Sequence, residues 1–487
     1  MSEMWEYIKN NLDGKTNSII KEYDGHKEYV YSDLLDKIEN IGNNEQIQTL
    51  KGAKCVILCR ESIETVKGLF LCWYADMIAI PLSLNYGKEH CESIIKATKP
   101  DAIISDDLKL CEGFEIIISI VEGVIYRHSD IKIKYEEELK NVDIMLGTSG
   151  TTGTPKVIMF SGKALQHNVN LICSYFPVKS NDTILICRPL YHCAVLVGEL
   201  LLALQVGANI IFYSGGFEPL IIANLLKECE ITVMCGTPTI FMGVASYLKH
   251  RNTKGRLRII ALSGESLLIE YAQNIRESFP EAKIYNVYGL TEAGPRVSFL
   301  PYDMFDSIPQ AVGYPLPGVE IKIVDKENRE LSCNELGDVW IKTPTIMLGY
   351  YKEERKTLSS FHDRWFKTGD VGKFDENGCL YILGRNDNMI IKAGMNIYPQ
   401  EVERIIAKLD EVKEVLVYGR LIMNIEHIMA DVVLQEEYIH ETSWNLMHKV
   451  AQILPPYMML RSIHIVENLP KNASGKLIRP VARVKNI

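Results

Sequence analysis

With 487 residues the chain exceeds what one hydrophobic core usually organises, so two or three folded units are expected. An apolar fraction of 47%, a charged fraction of 24% and no low-complexity tract describe a globular protein rather than a disordered one. A formal charge of −9 argues against a broad cationic face for nucleic acid, and twelve scattered cysteines with no CxxC pair and no HExxH argue against a zinc cage.

The first fifteen residues carry no apolar core of the kind that opens a secretory signal. Together with cysteines set in apolar runs, this suits a reducing cytoplasm. Short apolar runs then alternate with helical stretches. AKCVILC (53–59), MIAIPL (77–82) and DAIIS (101–105) are predicted strands, with a helix over 62–73. DTILIC (182–187), ANIIFY (208–213), ITVMCG (231–236) and LRIIALSG (257–264) continue the pattern, with a helix over 218–229. Such runs suit parallel strands covered on both faces, and the alternation suits α/β layering. The longest greasy stretch, 195–213, contains Glu199, Gln205 and Asn209, which favours a buried helix followed by a strand over a membrane span. From Gly313 the texture changes to alternating strands and turns, predicting a smaller β-rich unit over about 313–385. GRNDNMIIKAGMNIYPQEVERIIAKL then opens a hairpin followed by a helix. The expected division is 1–385 and 386–487, a plain surface turn at Asn386–Asp387 being the alternative.

The most informative segment is LGTSGTTGTPKVIM (146–159). Glycines let backbone N–H groups turn toward an anion, hydroxyls donate further hydrogen bonds, and Lys156 supplies a point charge. A flexible Ser/Thr/Gly turn is the bland alternative, and the coincidence of all three residue types weighs against it. The segment is not a Walker loop, because Pro155 precedes Lys156 and Val157 follows it. SGTTGTPK resembles a signature of the adenylate-forming superfamily: acyl-CoA synthetases, non-ribosomal peptide adenylation domains and firefly luciferases. YGLTEAG (288–294), WFKTGD (365–370), GR (384–385), NIYPQEVE (396–403) and PKNASGK (470–476) resemble its other signatures in the same order.

The resemblance implies an α/β fold: a large N-terminal domain of layered subdomains with a small β-barrel-like unit, and a small mobile α+β C-terminal lid. It implies ATP-dependent activation of a carboxylic acid to an acyl-adenylate, with magnesium, and transfer of the acyl group to a thiol. Thr148, Ser149, Gly150, Thr151, Thr152, Gly153 and Lys156 would cradle the phosphates. Tyr288, followed by Gly289, would stack on adenine, Thr291 would contact the α-phosphate, and Glu292 would hold magnesium. Gly264, Glu265 and Ser266 would lie against the adenine, Asn286 would bond its edge, and Ile382 would make an apolar contact to it. Asp370 suits the ribose diol, since a carboxylate accepts two hydrogen bonds, and the Arg385 fork suits ribose or phosphate oxygens. Lys476 would bridge the substrate carboxylate and the nucleotide. Outside this context a Thr-Glu pair is a helix start, Asp370 a turn residue, Arg385 a salt-bridge partner and Lys476 a solvated charge.

Domain alternation is also implied, with a hinge at Asp387 and the loop 392–396 presented to the thiol once Lys476 withdraws. For the acid, PLYHC (189–193) resembles the entrance to the acyl pocket, with His192, Thr237 and Ser263 as candidate walls. Tyr191-His192 replaces the Phe-Asp that amino-acid-activating relatives carry, which favours an aryl or aliphatic acid. A structural core role for His192 remains the alternative. The acceptor is coenzyme A or, as a second choice, the phosphopantetheine of an acyl or peptidyl carrier protein. An oxidative luciferase-like use of the adenylate and a non-catalytic nucleotide-binding role are the more distant options.

Overall fold

The computed structural model describes residues 2–12, 15, 18–23, 27–84, 88–121, 123–127, 133, 136–148, 156–215, 218–392, 395–422, 425–471 and 477–480. At residues 127, 148, 387, 391–392, 395–396, 425 and 457 it describes the backbone alone. All seven apolar runs form strands, and they divide between two sheets. Lys54–Ile57 lies parallel to Ile78–Pro81 and Ala102–Ser105 in an eight-stranded sheet. Thr183–Ile186, Asn209–Phe212, Val233–Gly236 and Ile259–Leu262 run parallel in a nine-stranded sheet. Every residue of Lys54–Ile57, Val233–Gly236 and Ile259–Leu262 is buried, as strands covered on both faces require.

The helix Ser62–Tyr74 explains how the two sheets share a core. From Ile63 onward all its residues are buried, so it has no solvent face, and its apolar side chains belong to one cluster with both sheets. A second buried helical run, Cys193–Val195, Leu196–Leu201 and Leu202–Val206, confirms the helix expected in the greasy stretch. Its middle section is π-wound, and Gly207 at φ +71 stops it before the strand Asn209–Phe212.

The β-rich unit comprises Glu320–Val324, Gly337–Lys342, Phe361–His362, Trp365–Phe374 and Leu380–Arg385, paired antiparallel. Its own strands begin at Glu320 rather than at Gly313, because Tyr314–Pro315 still pairs with the nine-stranded sheet. Gly349–Tyr350 leaves the unit altogether and pairs with Ile158 and Met159. Beyond the short turn Asn386–Asn388 come the hairpin Ile390–Lys392 and Met395–Ile397, the helix Pro399–Ile406, the long hairpin Val412–Ile422 and Ile425–Leu434, the helix Ser443–Ile453, and Ser462–Ile465. These elements enclose a core of their own that includes Ile397, Val402, Val417, Leu446 and Ile463. That core is distinct from those of the two large sheets. Among the described residues no helix is long and apolar enough to cross a membrane.

Candidate active site

Three neighbouring parallel strands end in the turns that the sequence singles out, which is where open α/β sheets gather ligands. Val233–Gly236 ends at Thr237, whose hydroxyl accepts from the Ile240 N–H at 3.3 Å and caps the helix Pro238–His250. Ile259–Leu262 ends at Ser263 and Gly264, the latter at φ +88, and Lys283–Tyr288 runs into Gly289. The Ser263 hydroxyl is buried without a hydrogen-bond partner among the described residues. Glu265, expected to lie against the adenine, has a carboxylate already engaged by protein donors. Its Oε2 accepts from the Thr239 hydroxyl at 2.7 Å and the Thr239 N–H at 3.2 Å, while Oε1 accepts from the Leu477 N–H at 3.3 Å. The carboxylate therefore clamps two chain segments.

Tyr288, Asp370 and Arg385 form one network. The Tyr288 hydroxyl donates to Asp370 Oδ2 at 2.5 Å, and Arg385 Nη1 reaches Oδ1 at 3.2 Å. The Asp370 N–H donates to Thr368 Oγ1 at 3.0 Å, which fixes the carboxylate from behind. Burial and then the Asp370 charge push the Tyr288 hydroxyl well above its usual range, so it stays protonated and donates. The Asp370 charge likewise raises the Arg385 guanidinium. Two of the carboxylate's acceptor positions are taken, and it has about four in all, so the ribose role remains open to it. Asn286 is pinned: its Nδ2 donates to the carbonyls of Pro309 and Ala311, each at 3.0 Å. Only its Oδ1 end is then presented as an acceptor, the polarity an adenine amino group requires. Gly289 is required by packing, because a Cβ there would lie 1.6 Å from the Pro295 carbonyl oxygen.

At the phosphate end, the hairpin Ile144–Thr148 and Lys156–Phe160 pairs Thr148 opposite Lys156. Ser149, Gly150, Thr151, Thr152 and Gly153, between those strands, lie outside the described residues, as does the Thr148 side chain. Lys156 Nζ sits 5.3 Å from the centre of the Tyr350 ring, and the Tyr350 hydroxyl donates to Glu292 Oε1 at 2.9 Å. Burial and the Glu292 charge raise the Tyr350 hydroxyl, which keeps it a donor. One tyrosine thus links the predicted lysine to the predicted carboxylate. The turn Thr291–Ala293 is held by Met347 N–H on the Glu292 carbonyl (2.8 Å) and by the Thr345 hydroxyl on the Ala293 carbonyl (2.6 Å). Among the described residues no three His, Cys, Asp or Glu side chains cluster as a metal cage. A lone Glu292 suits magnesium, which keeps waters and takes its other ligands from phosphates.

On the acid side, the His192 ring lies tilted against Tyr191 with ring centres 4.1 Å apart, and His192 precedes the buried helical run. Beside it, Arg188 donates to Glu199 at 2.6 Å, both side chains being buried. Burial works to lower the Arg188 guanidinium, and the Glu199 charge leads the several interactions that together leave it raised. The C-terminal tip closes through a bridge between Lys471 and Leu477, and Leu477 is the residue held by Glu265. Lys476 itself lies outside the described residues, as does the Asp387 side chain. Asn386 beside it hydrogen-bonds Asp338 of the β-rich unit.

The family model for AMP-binding enzymes matches residues 13–351, and that for the AMP-binding enzyme C-terminal domain matches 401–476. The chain belongs to the AMP-binding enzyme family. It is similar to a 2-succinylbenzoate–CoA ligase of Bacillus licheniformis, 30% identical over 70% of each chain. The ATP-bound MatB of Rhodopseudomonas palustris is 25% identical, with a TM-score of 0.85 over 98% of this chain and 97% of that one. The fold is shared with Bacillus subtilis MenE in complex with OSB-AMP, at 22% identity and a TM-score of 0.82 over 99% and 98% of the two chains.

In this AMP-binding enzyme the large N-terminal and small C-terminal α/β units of the sequence analysis are present. Tyr288, Asp370 and Arg385 form one connected set, and Glu292, Tyr350 and Lys156 form a second. Tyr350 and Thr368 were not anticipated. The only signal for Tyr350 was an aromatic pair after a glycine, and for Thr368 its place in the WFKTGD motif. Glu199 stood out as a charge in an apolar helix, without a partner that the sequence could name.

Proposed function

We propose that this enzyme binds ATP and a carboxylic acid, forms the acyl-adenylate with release of pyrophosphate, and passes the acyl group to coenzyme A. The observation that carries this is the Leu477 amide on Glu265, which puts the residue after Lys476 at the strand ends that also carry Ser263 and Tyr288. Both reactants are anions, so positioning and charge neutralisation supply most of the catalysis. Asp370 and Arg385 orient the ribose, the Tyr288 face takes the adenine, and Asn286 Oδ1 accepts from the base edge. Lys156 faces the leaving pyrophosphate. Glu292 would hold magnesium, which would supply further charge neutralisation when bound. Lys476 bridges the attacking carboxylate and the α-phosphate.

An aryl or aliphatic acid is favoured because no aspartate stands at Tyr191-His192 to hold an α-ammonium group. Coenzyme A is favoured as acceptor because the curated relative above is named a CoA ligase; nothing favours a carrier protein. The test is ATP–pyrophosphate exchange across a panel of carboxylic acids, followed by detection of the coenzyme A thioester. Lys476→Ala is expected to abolish exchange yet spare thioester formation from supplied acyl-adenylate. Full exchange in that variant would overturn the assignment.

A further inference from the structure

The helix that follows His192 carries charge where its apolar neighbours give no reason for one. Glu199 is fully buried in the π-wound section and pairs with Arg188 at 2.6 Å. A second guanidinium, Arg296, is only 3% exposed. Among the described residues its side chain makes no hydrogen bond or ion pair, and its Nε is sealed from solvent without an acceptor. Two guanidinium groups therefore act on one fully buried carboxylate, which is ion-paired with Arg188 alone; Glu292, the other carboxylate acting at Cys193, is hydrogen-bonded by Tyr350. A buried cation without a counter-ion costs several kcal/mol. A fold that keeps one points to a counter-ion that arrives with a ligand.

The position of that charge is fixed from two sides. Its backbone lies under the motif at 288–294, since a Cβ on Gly289 would come within 3.1 Å of Arg296 Cα. Asn168 holds the Arg296 carbonyl from the other side at 3.0 Å. The guanidinium lies on Gly198, where a Cβ would meet Nη2 at 2.9 Å and Nε at 3.3 Å. Cys193, next to His192, and Cys235, two residues before Thr237, both feel its charge. Arg296 thus stands between the adenylate-side turn and the two segments assigned to the acid pocket.

We propose that Arg296 determines acid specificity by receiving a second anionic group, a carboxylate remote from the one that is activated. This rests on the adenylation reading and narrows its substrate class to dicarboxylic acids. The planar donor fork of arginine matches a carboxylate in two parallel hydrogen bonds, and Arg188 is not available for the task because Glu199 already holds it.

The experiment is pyrophosphate exchange by the full chain with straight-chain diacids of three to six carbons and phthalate, each against the monocarboxylic acid of matching size. The wild type is expected to prefer a diacid over its match by about 100-fold in kcat/KM, as breaking a buried charge pair implies. Arg296→Leu should bring that ratio near one, and Arg296→Lys should recover part of it. A wild type that prefers monoacids, or shows no preference, overturns the proposal while leaving adenylation intact. So does Arg296→Leu lowering both acids of a pair equally, which would mean the guanidinium serves the reacting carboxylate or the fold. If Arg296→Leu does not fold, the wild-type and Arg296→Lys ratios decide the matter. No exchange with any acid of either kind would instead overturn the adenylation reading, and the specificity proposal with it.

Discussion

Asp143 shows how burial, helped by the nearby Asp76 and Glu3 charges, gives one residue a pH signature. Its carboxyl is pushed up to about 6 by burial, with the Gly162 N–H at 2.6 Å working against the rise. An unfolded aspartate titrates near 4, so the folded state holds this proton more tightly. Its contribution to stability is complete below about pH 4 and is lost as pH rises through about 6. Asp143→Asn should therefore gain on the wild type by about 2 kcal/mol between pH 4.5 and 7.5. Urea midpoints at the two pH values check this, and parallel curves for the two proteins would refute it. Nothing around Asp143 in the sequence announces the effect, because burial of a single side chain is a product of tertiary packing. Asp370, Tyr288 and Glu292 were legible for the opposite reason: their chemistry requires fixed residue types in short, fixed frames. The link from Glu292 to Lys156 through Tyr350 crosses from one chain segment to another and leaves no local pattern.

Glu403 plays at the level of elements the part that Asp370 plays at the level of side chains. It closes the NIYPQEVE segment on the helix Pro399–Ile406 and is buried. Its carboxylate accepts from the Val417 N–H at 2.7 Å and from Arg479 through both oxygens, Nη1 at 2.5 Å and Nη2 at 2.7 Å. One carboxylate thus ties a helix, a strand and the residues just after the Lys476 tip. Glu403→Gln should loosen the tip and lower pyrophosphate exchange by about tenfold, the scale of one charge-assisted hydrogen bond. Thioester formation from supplied acyl-adenylate should be unaffected, and equal losses in both half-reactions would count against the assignment. Individual elements were largely legible, since apolar runs such as those around Val56 and Ile260 have the composition of covered parallel strands. Their distribution between two sheets was not, because runs buried in either sheet look alike. The handover of Gly349–Tyr350 from the β-rich unit to the eight-stranded sheet depends on pairing far along the chain, which no local pattern encodes.

For the molecule as a whole, the Leu477 amide on Glu265 ties the C-terminal unit to the strand-end turn at Ser263–Glu265, and the proposed adenylation reading rests on that contact. Thiol transfer by the implied alternation needs the backbone near Asp387 to turn. Proline there fixes φ and removes an N–H, so Asp387→Pro should keep pyrophosphate exchange while slowing thioester formation at least tenfold. Retention of full overall ligase activity would rule out a hinge at this point. Gly289 has a practical consequence for redesign of the acid specificity. With 1.6 Å between a notional methyl group there and the Pro295 oxygen, the main chain under residue 296 is a socket of fixed shape. A randomised library should leave the socket alone and exchange only the plug, the side chain at 296.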